Sequence, residues 1–250
     1  MKQRRITIKD IAKTLNISPS TVSRALKDHP DISAETKRQV QALATSVNYR
    51  PNDLALGLRK GKTNTIGIIV PEIVHHFFSS VISGIDDMAN AAGYNTMICQ
   101  TNESMEREQK SLQTMLDNRI DGLLISISKG TTSFEHLHSL MNTEMPVVFF
   151  DRVCDEIPSH RVITDDFEGA RIATKHLIDI GCRRIVHLTG APSLVISKQR
   201  LDGYKTALME HGLPIDENLI IEADSSEAIT NVADKLITIA PEIDGIFAIN

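Results

Sequence analysis

Residues 18–24, "SPSTVSR", place three serines, a threonine and a guanidinium within two helical turns. Arg24 carries the planar fork that pairs bidentately with guanine, worth about 1–3 kcal/mol of base discrimination. Ser18, Thr21 and Ser23 have hydroxyls that can bond phosphate oxygens. Further polar and aromatic residues follow apolar runs, in "PEIVHHFFSS" (71–80), "FFDRV" (149–153), "ITDDFEGA" (163–170) and "TGAPSLVISKQRLDGY" (189–204). The neighbouring acids Asp165 and Asp166 invite a metal or acid–base reading. No third ligand at suitable spacing accompanies them, so the sequence offers no metal site, cofactor or catalytic set. His187, inside the apolar "RIVHL", reads as a core histidine.

These groups need elements to hold them. In "TIKDIAKTLNIS" the spacing of Ile8, Ile11, Ala12 and Leu15 predicts a helix with Thr7 as its N-cap. After a tight turn, Ser18 caps a second helix with Pro19 at its first position, where the missing N–H costs nothing. Val22, Ala25 and Leu26 face inward there. Ser33 caps a third helix, striped by Val40, Leu43, Ala44 and Val47, that runs to Pro51. From Thr65 the texture changes. Short apolar runs at 65–70, 95–99, 122–127, 147–150, 161–166, 184–188, 219–222 and 245–250 alternate with helical patterns. The patterns lie near 78–92, 104–118, 133–142, 168–180, 198–211 and 226–239. The expected body is therefore α/β, with parallel sheets in two successive doubly wound halves and a crossover near 151–165. Its last strand runs straight into the C-terminus, which reads as a truncated chain with an incomplete second half.

Charge divides the chain the same way. Residues 1–62 hold 13 Lys and Arg against 5 Asp and Glu, whereas residues 63–250 hold 14 against 27. A basic head on an acidic body points to a polyanion as the partner of the head alone. The N-terminus has no apolar signal segment and no run reaches membrane-spanning length. Three well-separated cysteines, Cys99, Cys154 and Cys182, suit a reducing compartment, so the expected location is cytoplasmic.

The runs "TIKDIAKTLNISPSTVSRALKD" and "VNYRPNDLALGLRKGKTNTIGIIVP" resemble the lac repressor (LacI/GalR) family of bacterial transcription regulators. The resemblance extends from Thr7 to the last residue. It implies a helix–turn–helix head over 1–48, a hinge over 49–62 and a periplasmic-binding-protein-like body over 63–250. The body would divide into a first subdomain (63–163) and part of a second (164–250). Pro19, Ser20 and Arg24 match base-reading positions, and Ser18, Thr21, Ser23 and Ser33 match phosphate-contact positions. In the hinge, Leu58 matches an apolar wedge that opens a minor-groove base step, and Ala55 matches the neighbouring groove contact. Asn52 and Arg59 join the expected DNA-binding set, with Lys60 and Lys62 placed to meet phosphates. Gly57 inside that hinge helix costs about 1 kcal/mol relative to alanine.

In the body, the resemblance implies an effector cleft lined by His76, Phe77, Phe78, Asp151, Asp165, Ser197 and Arg200. Arg200 opens the family signature R-x-x-G-Y. The apolar "SLVIS" (193–197) before it disfavours a purine and favours a sugar or sugar derivative. The family aspartate expected after "FAIN" would fall one position beyond Asn250, which puts effector binding by this chain in question. The expected protein is a repressor, a homodimer on near-palindromic double-stranded operator DNA, and not an enzyme. The competing readings are a solute-binding protein with no role on DNA and a sugar-processing enzyme. The first would have no use for a basic helix–turn–helix, and the second lacks a nucleophile.

Overall fold

A computed structural model describes residues 6–49, 62–142, 145–223, 232–234, 236–238 and 242–249. The chain divides into two compact units, residues 1–63 and 64–250. Asn52, Ala55, Leu58, Arg59 and Lys60 lie outside the described residues.

The head contains α1 (Ile8–Leu15), α2 (Pro19–Leu26) and α3 (Ala34–Ser46). Helix α1 starts where the N–H and hydroxyl of Thr7 both donate to the Asp10 carboxylate, at 2.8 and 2.7 Å. It stops at Asn16, whose left-handed φ of 51° turns the chain. Ser18 Oγ accepts from the Thr21 N–H at 3.0 Å and so caps α2. Ser33 does the same for α3 through Thr36. Ile11, Ala12, Val22, Ala25, Val40 and Ala44 form one small core. Helix α3 ends before the expected Pro51. Asn48 is left-handed, the Tyr49 N–H bonds the Ala44 carbonyl at 2.8 Å, and Tyr49 packs on the head core. Tyr49, expected to open the hinge, therefore belongs to the head.

The body is built from β1 (Thr65–Val70), α4 (His76–Ala91), β2 (Asn95–Gln100), α5 (Met105–Asp117), β3 (Gly122–Ile125), α6 (Glu135–His138), β4 (Val147–Phe150) and β5 (His160–Val162). It continues with α7 (Asp166–Asp179), β6 (Ile185–Thr189), α8 (Val195–Glu210), β7 (Ile220–Glu222) and β8 (Gly245–Ala248). Two parallel sheets result, of order β2-β1-β3-β4-β5 and β7-β6-β8. Both reverse direction beside their first strand. In such sheets ligands collect at the carboxyl ends of the strands, at the point of reversal. The core under the first sheet gathers Ile69, Leu112, Met115, Leu123, Ile125 and Phe149, and that under the second Ile178, Ile185, Tyr204 and Ala207.

Several expected elements change length. The run 122–127 pairs as a strand only to Ile125, because the Ile127 N–H leaves the ladder for the Arg152 carbonyl at 3.2 Å. The helix expected at 133–142 is one α turn followed by a 3₁₀ turn at Ser139–Asn142. The strand expected to reach 166 stops at Val162, and Asp166 opens α7 instead.

Candidate functional sites

On α2 the capping geometry decides which side chains point away from the core. Val22 and Ala25 are fully buried. Ser20 and Arg24, one turn apart, lie on the opposite face and are exposed. The Arg24 guanidinium makes no hydrogen bond or ion pair with any described residue, so its fork is open. Pro19 is exposed at the helix start, while Thr21 and Ser23 are half-buried. Ser18 has a second duty beyond the expected phosphate contact. Its oxygen caps the helix and lies 2.7 Å from Ser20 Oγ and 2.8 Å from Thr21 Oγ1. Ser33 is likewise exposed and occupied as a cap, 2.8 Å from Thr36 Oγ1.

In the body, the carboxyl ends of β1, β3, β4, β5, β6 and β8 supply a polar array. Asp151 follows β4 with a left-handed φ of 58°, a conformation that costs an aspartate on the order of 1 kcal/mol and aims its side chain. Burial pushes its carboxyl above the ordinary carboxylate range, partly offset by the guanidiniums of Arg152 and Arg200. Arg200, from α8, donates through Nε to Asp166 Oδ1 at 2.8 Å and through Nη1 to the Ile249 carbonyl at 3.0 Å. Arg152 donates through Nη1 to both oxygens of Glu103 at 2.8 Å and lies over the Phe78 ring, 5.9 Å from its centre. Arg152 Nε is buried with no hydrogen-bond partner among the described residues. Ser126 Oγ, after β3, is buried beside the Asp151 carboxyl and helps to hold it ionised.

The loop after β3 is fixed from beneath. Glu108 on α5 is fully buried and accepts from the Ser128 N–H at 2.7 Å and Thr131 Oγ1 at 3.0 Å, with His136 Nε2 2.8 Å away. A buried carboxylate persists only with such a complete set of donors. Ser193, in the loop after β6, then donates to the Lys129 carbonyl at 3.3 Å, linking loops from the two sheets.

The family model for the periplasmic binding proteins and sugar binding domain of the LacI family matches residues 63–250. That for the bacterial regulatory proteins of the lacI family matches residues 7–52. The chain belongs to the LacI family. It is 32% identical to the ribose operon repressor of Halalkalibacterium halodurans over 97% of its own length and 71% of that protein's. It is 31% identical to the transcriptional repressor PurR of Aliivibrio fischeri over 93% and 69% of the two chains. In structure it is similar to the lac repressor dimer bound to operator and an anti-inducer, with a TM-score of 0.80 over 99% of this chain and 74% of that one. At 23% identity that likeness concerns the fold. Catabolite control protein A of Lactococcus lactis is 29% identical with a TM-score of 0.66, over 74% of this chain and 67% of that one.

Within this LacI-family body, the seven expected cleft residues fall into two sets. Asp151, Arg200 and Phe78 stand in or against the polar array. Asp165 is exposed and turned to another task, because its carboxylate caps α7 by accepting from the Glu168 N–H at 2.9 Å. Its neighbour Asp166 turns inward to Arg200 instead. Ser197 is buried beneath Gly190, where an added Cβ would come within 2.9 Å of its Oγ, so it shapes the loop after β6. Phe77 is half exposed and meets Phe78 edge-on at 5.2 Å. His76 is exposed on the first turn of α4, its Nδ1 3.5 Å from Ser80 Oγ. Ser126, Arg152 and Glu103 were not singled out from the sequence. The run "FFDRV" held the signal for Arg152, as a cation next to an acid at a strand end. Nothing local marked Glu103, 49 residues away.

The signature R-x-x-G-Y now has a physical reading. Arg200, Gly203 and Tyr204 share one face of α8. Gly203 lies against α7, where a Cβ would come within 2.2 Å of the Phe167 carbonyl. Tyr204 is buried, donates to the Ile185 carbonyl at 2.7 Å and stacks on His187. Only with this close approach does Arg200 meet Asp166 at the start of α7.

Proposed function

We propose that the chain is a transcription repressor whose head reads operator DNA through Arg24 and Ser20, and whose body binds a small polyhydroxylated effector at Asp151, Arg152, Ser126 and Arg200. The observation that carries this reading is the exposed guanidinium of Arg24, unengaged by any described residue, on a capped helix in a LacI-family head. The array at the strand ends supports the effector half. It combines an aromatic face, two guanidiniums and an aspartate, the set that fixes the orientation of sugar hydroxyls. The relatives named as a ribose operon repressor and as PurR are compatible with more than one effector class. The apolar "SLVIS" before Arg200 favours the sugar.

In this reading the protein is a homodimer on a near-palindromic site, works in the cytoplasm with the chromosome, and is a regulator rather than an enzyme. No helix among the described residues is long and apolar enough to cross a membrane. The hinge residues Asn52, Ala55, Leu58 and Arg59 would complete the DNA contact. Selection of binding sites from random duplexes with the full chain should return a two-fold-related sequence. Arg24→Met should then lower affinity for it about 10–100-fold and relax one base position, the expected value of one bidentate contact. An Arg24→Met variant that binds the selected sequence as tightly, and with the same base preference, as the parent protein would leave the readout to other residues.

A further inference from the structure

Both cations of the body array are already paired. Arg200 and Asp166 lie 2.8 Å apart with side chains only 21% and 8% exposed. Arg152 is held by Glu103, with exposures of 14% and 16%. Asp151 adds a further carboxylate 3.9 Å from Arg152 Nε, so Arg152 is shared between two acids. The amino end of α7, which could otherwise attract an anion, carries the Asp165 cap and has Asp166 and Glu168 in its first turn. An anionic group approaching Arg200 would meet Asp166 at nearly the same distance, so attraction and repulsion largely cancel and desolvation remains unrewarded. A hydroxyl meets a different surface. It can accept from a guanidinium N–H and donate to the adjacent carboxylate at once.

We propose that Asp166 sets the charge class of the effector, by holding Arg200 in a nearly buried ion pair that accepts uncharged polyols and rejects phosphorylated or carboxylated ones. This rests on the effector reading above and narrows it. Inorganic phosphate, titrated calorimetrically into the full chain, is the probe. Asp166→Asn, which keeps the hydrogen bond and removes the charge, should bind phosphate at least tenfold more tightly than the parent protein. Adding Arg200→Met should abolish that gain. If Asp166→Asn does not fold, Asp166→Ser serves the same purpose. Equal phosphate affinity with and without Asp166, or no binding in either, overturns the proposal. So does saturable binding to the parent protein that Arg200→Met alone removes. A neutral-sugar panel followed by thermal shift separates the two claims. The phosphate pattern without any sugar response would keep the role of Asp166 and remove the polyol-effector reading.

Discussion

At the scale of single residues, His187 links the interior to pH. It is fully buried on β6, its ring stacked between Tyr204 at 5.0 Å and Phe247 at 4.9 Å. Burial pushes its pKa down to about 4, although its Nδ1 lies 3.3 Å from the Phe247 carbonyl. In the unfolded chain it titrates near its ordinary value of 6.5. Its contribution is thus complete above pH 6.5. Below that the unfolded chain takes up a proton that the folded chain refuses, so stability falls by about 1.4 kcal/mol per pH unit, about 3 kcal/mol in all by pH 4. His187→Gln should flatten that part of the stability–pH curve in urea denaturation, while the parent protein keeps the slope. The core position of His187 was legible in "RIVHL", because an imidazole inside an apolar strand has no water to reach. The choice between Asp165 and Asp166 was not. One residue caps α7 and the next begins it, and which of two adjacent acids turns inward depends on where the helix starts. The sequence pattern placed that start two residues late.

At the scale of elements, the crossing of α7 and α8 decides whether the site exists. Gly203 lets the two backbones approach until no side-chain atom fits between them. Gly203→Ala must move α8 away from the Phe167 carbonyl, at an expected cost of about 2–3 kcal/mol, and should separate Arg200 from Asp166. Gly169, also on α7, has nothing within 4 Å of an added Cβ. Gly169→Ala should therefore gain about 0.5–1 kcal/mol from helix propensity. Paired denaturation curves of the two variants would show opposite shifts. In the head, Ser18 carries both a cap and a place among expected phosphate contacts. Ser18→Asp keeps the cap, since a carboxylate oxygen accepts from the Thr21 N–H equally well, and puts a negative charge beside DNA. Head stability should stay within about 0.5 kcal/mol while DNA affinity falls at least tenfold. Capped helices and buried parallel strands were readable because one local pattern fixes each. Strand ends were not, since the Ile127 N–H leaves its ladder for the carbonyl of Arg152, a residue on a loop distant in sequence.

At the scale of the whole chain, the separation of charge predicts two binding reactions with different salt responses. The basic head must release counterions to bind DNA, so the logarithm of its affinity should fall linearly with the logarithm of salt, with a slope near −0.9 per phosphate neutralised. The body array has its cations internally paired, so a neutral effector should bind with nearly constant affinity across the same salt range. The two reactions are nevertheless linked if the chain is a regulator. Whatever factor saturating effector applies to the DNA dissociation constant, saturating DNA must apply to the effector dissociation constant, an energy of ~1–3 kcal/mol in typical cases. Raising salt should then weaken DNA binding without altering that factor, because the coupling depends on the difference between two body states and not on the phosphate contacts. Fluorescence anisotropy on labelled duplex at several salt concentrations, with and without effector, measures both quantities. Parallel lines separated by a constant offset are the expected result. Lines that converge with rising salt would mean that the effector acts on phosphate contacts of the head directly, and the body would then not be the seat of regulation.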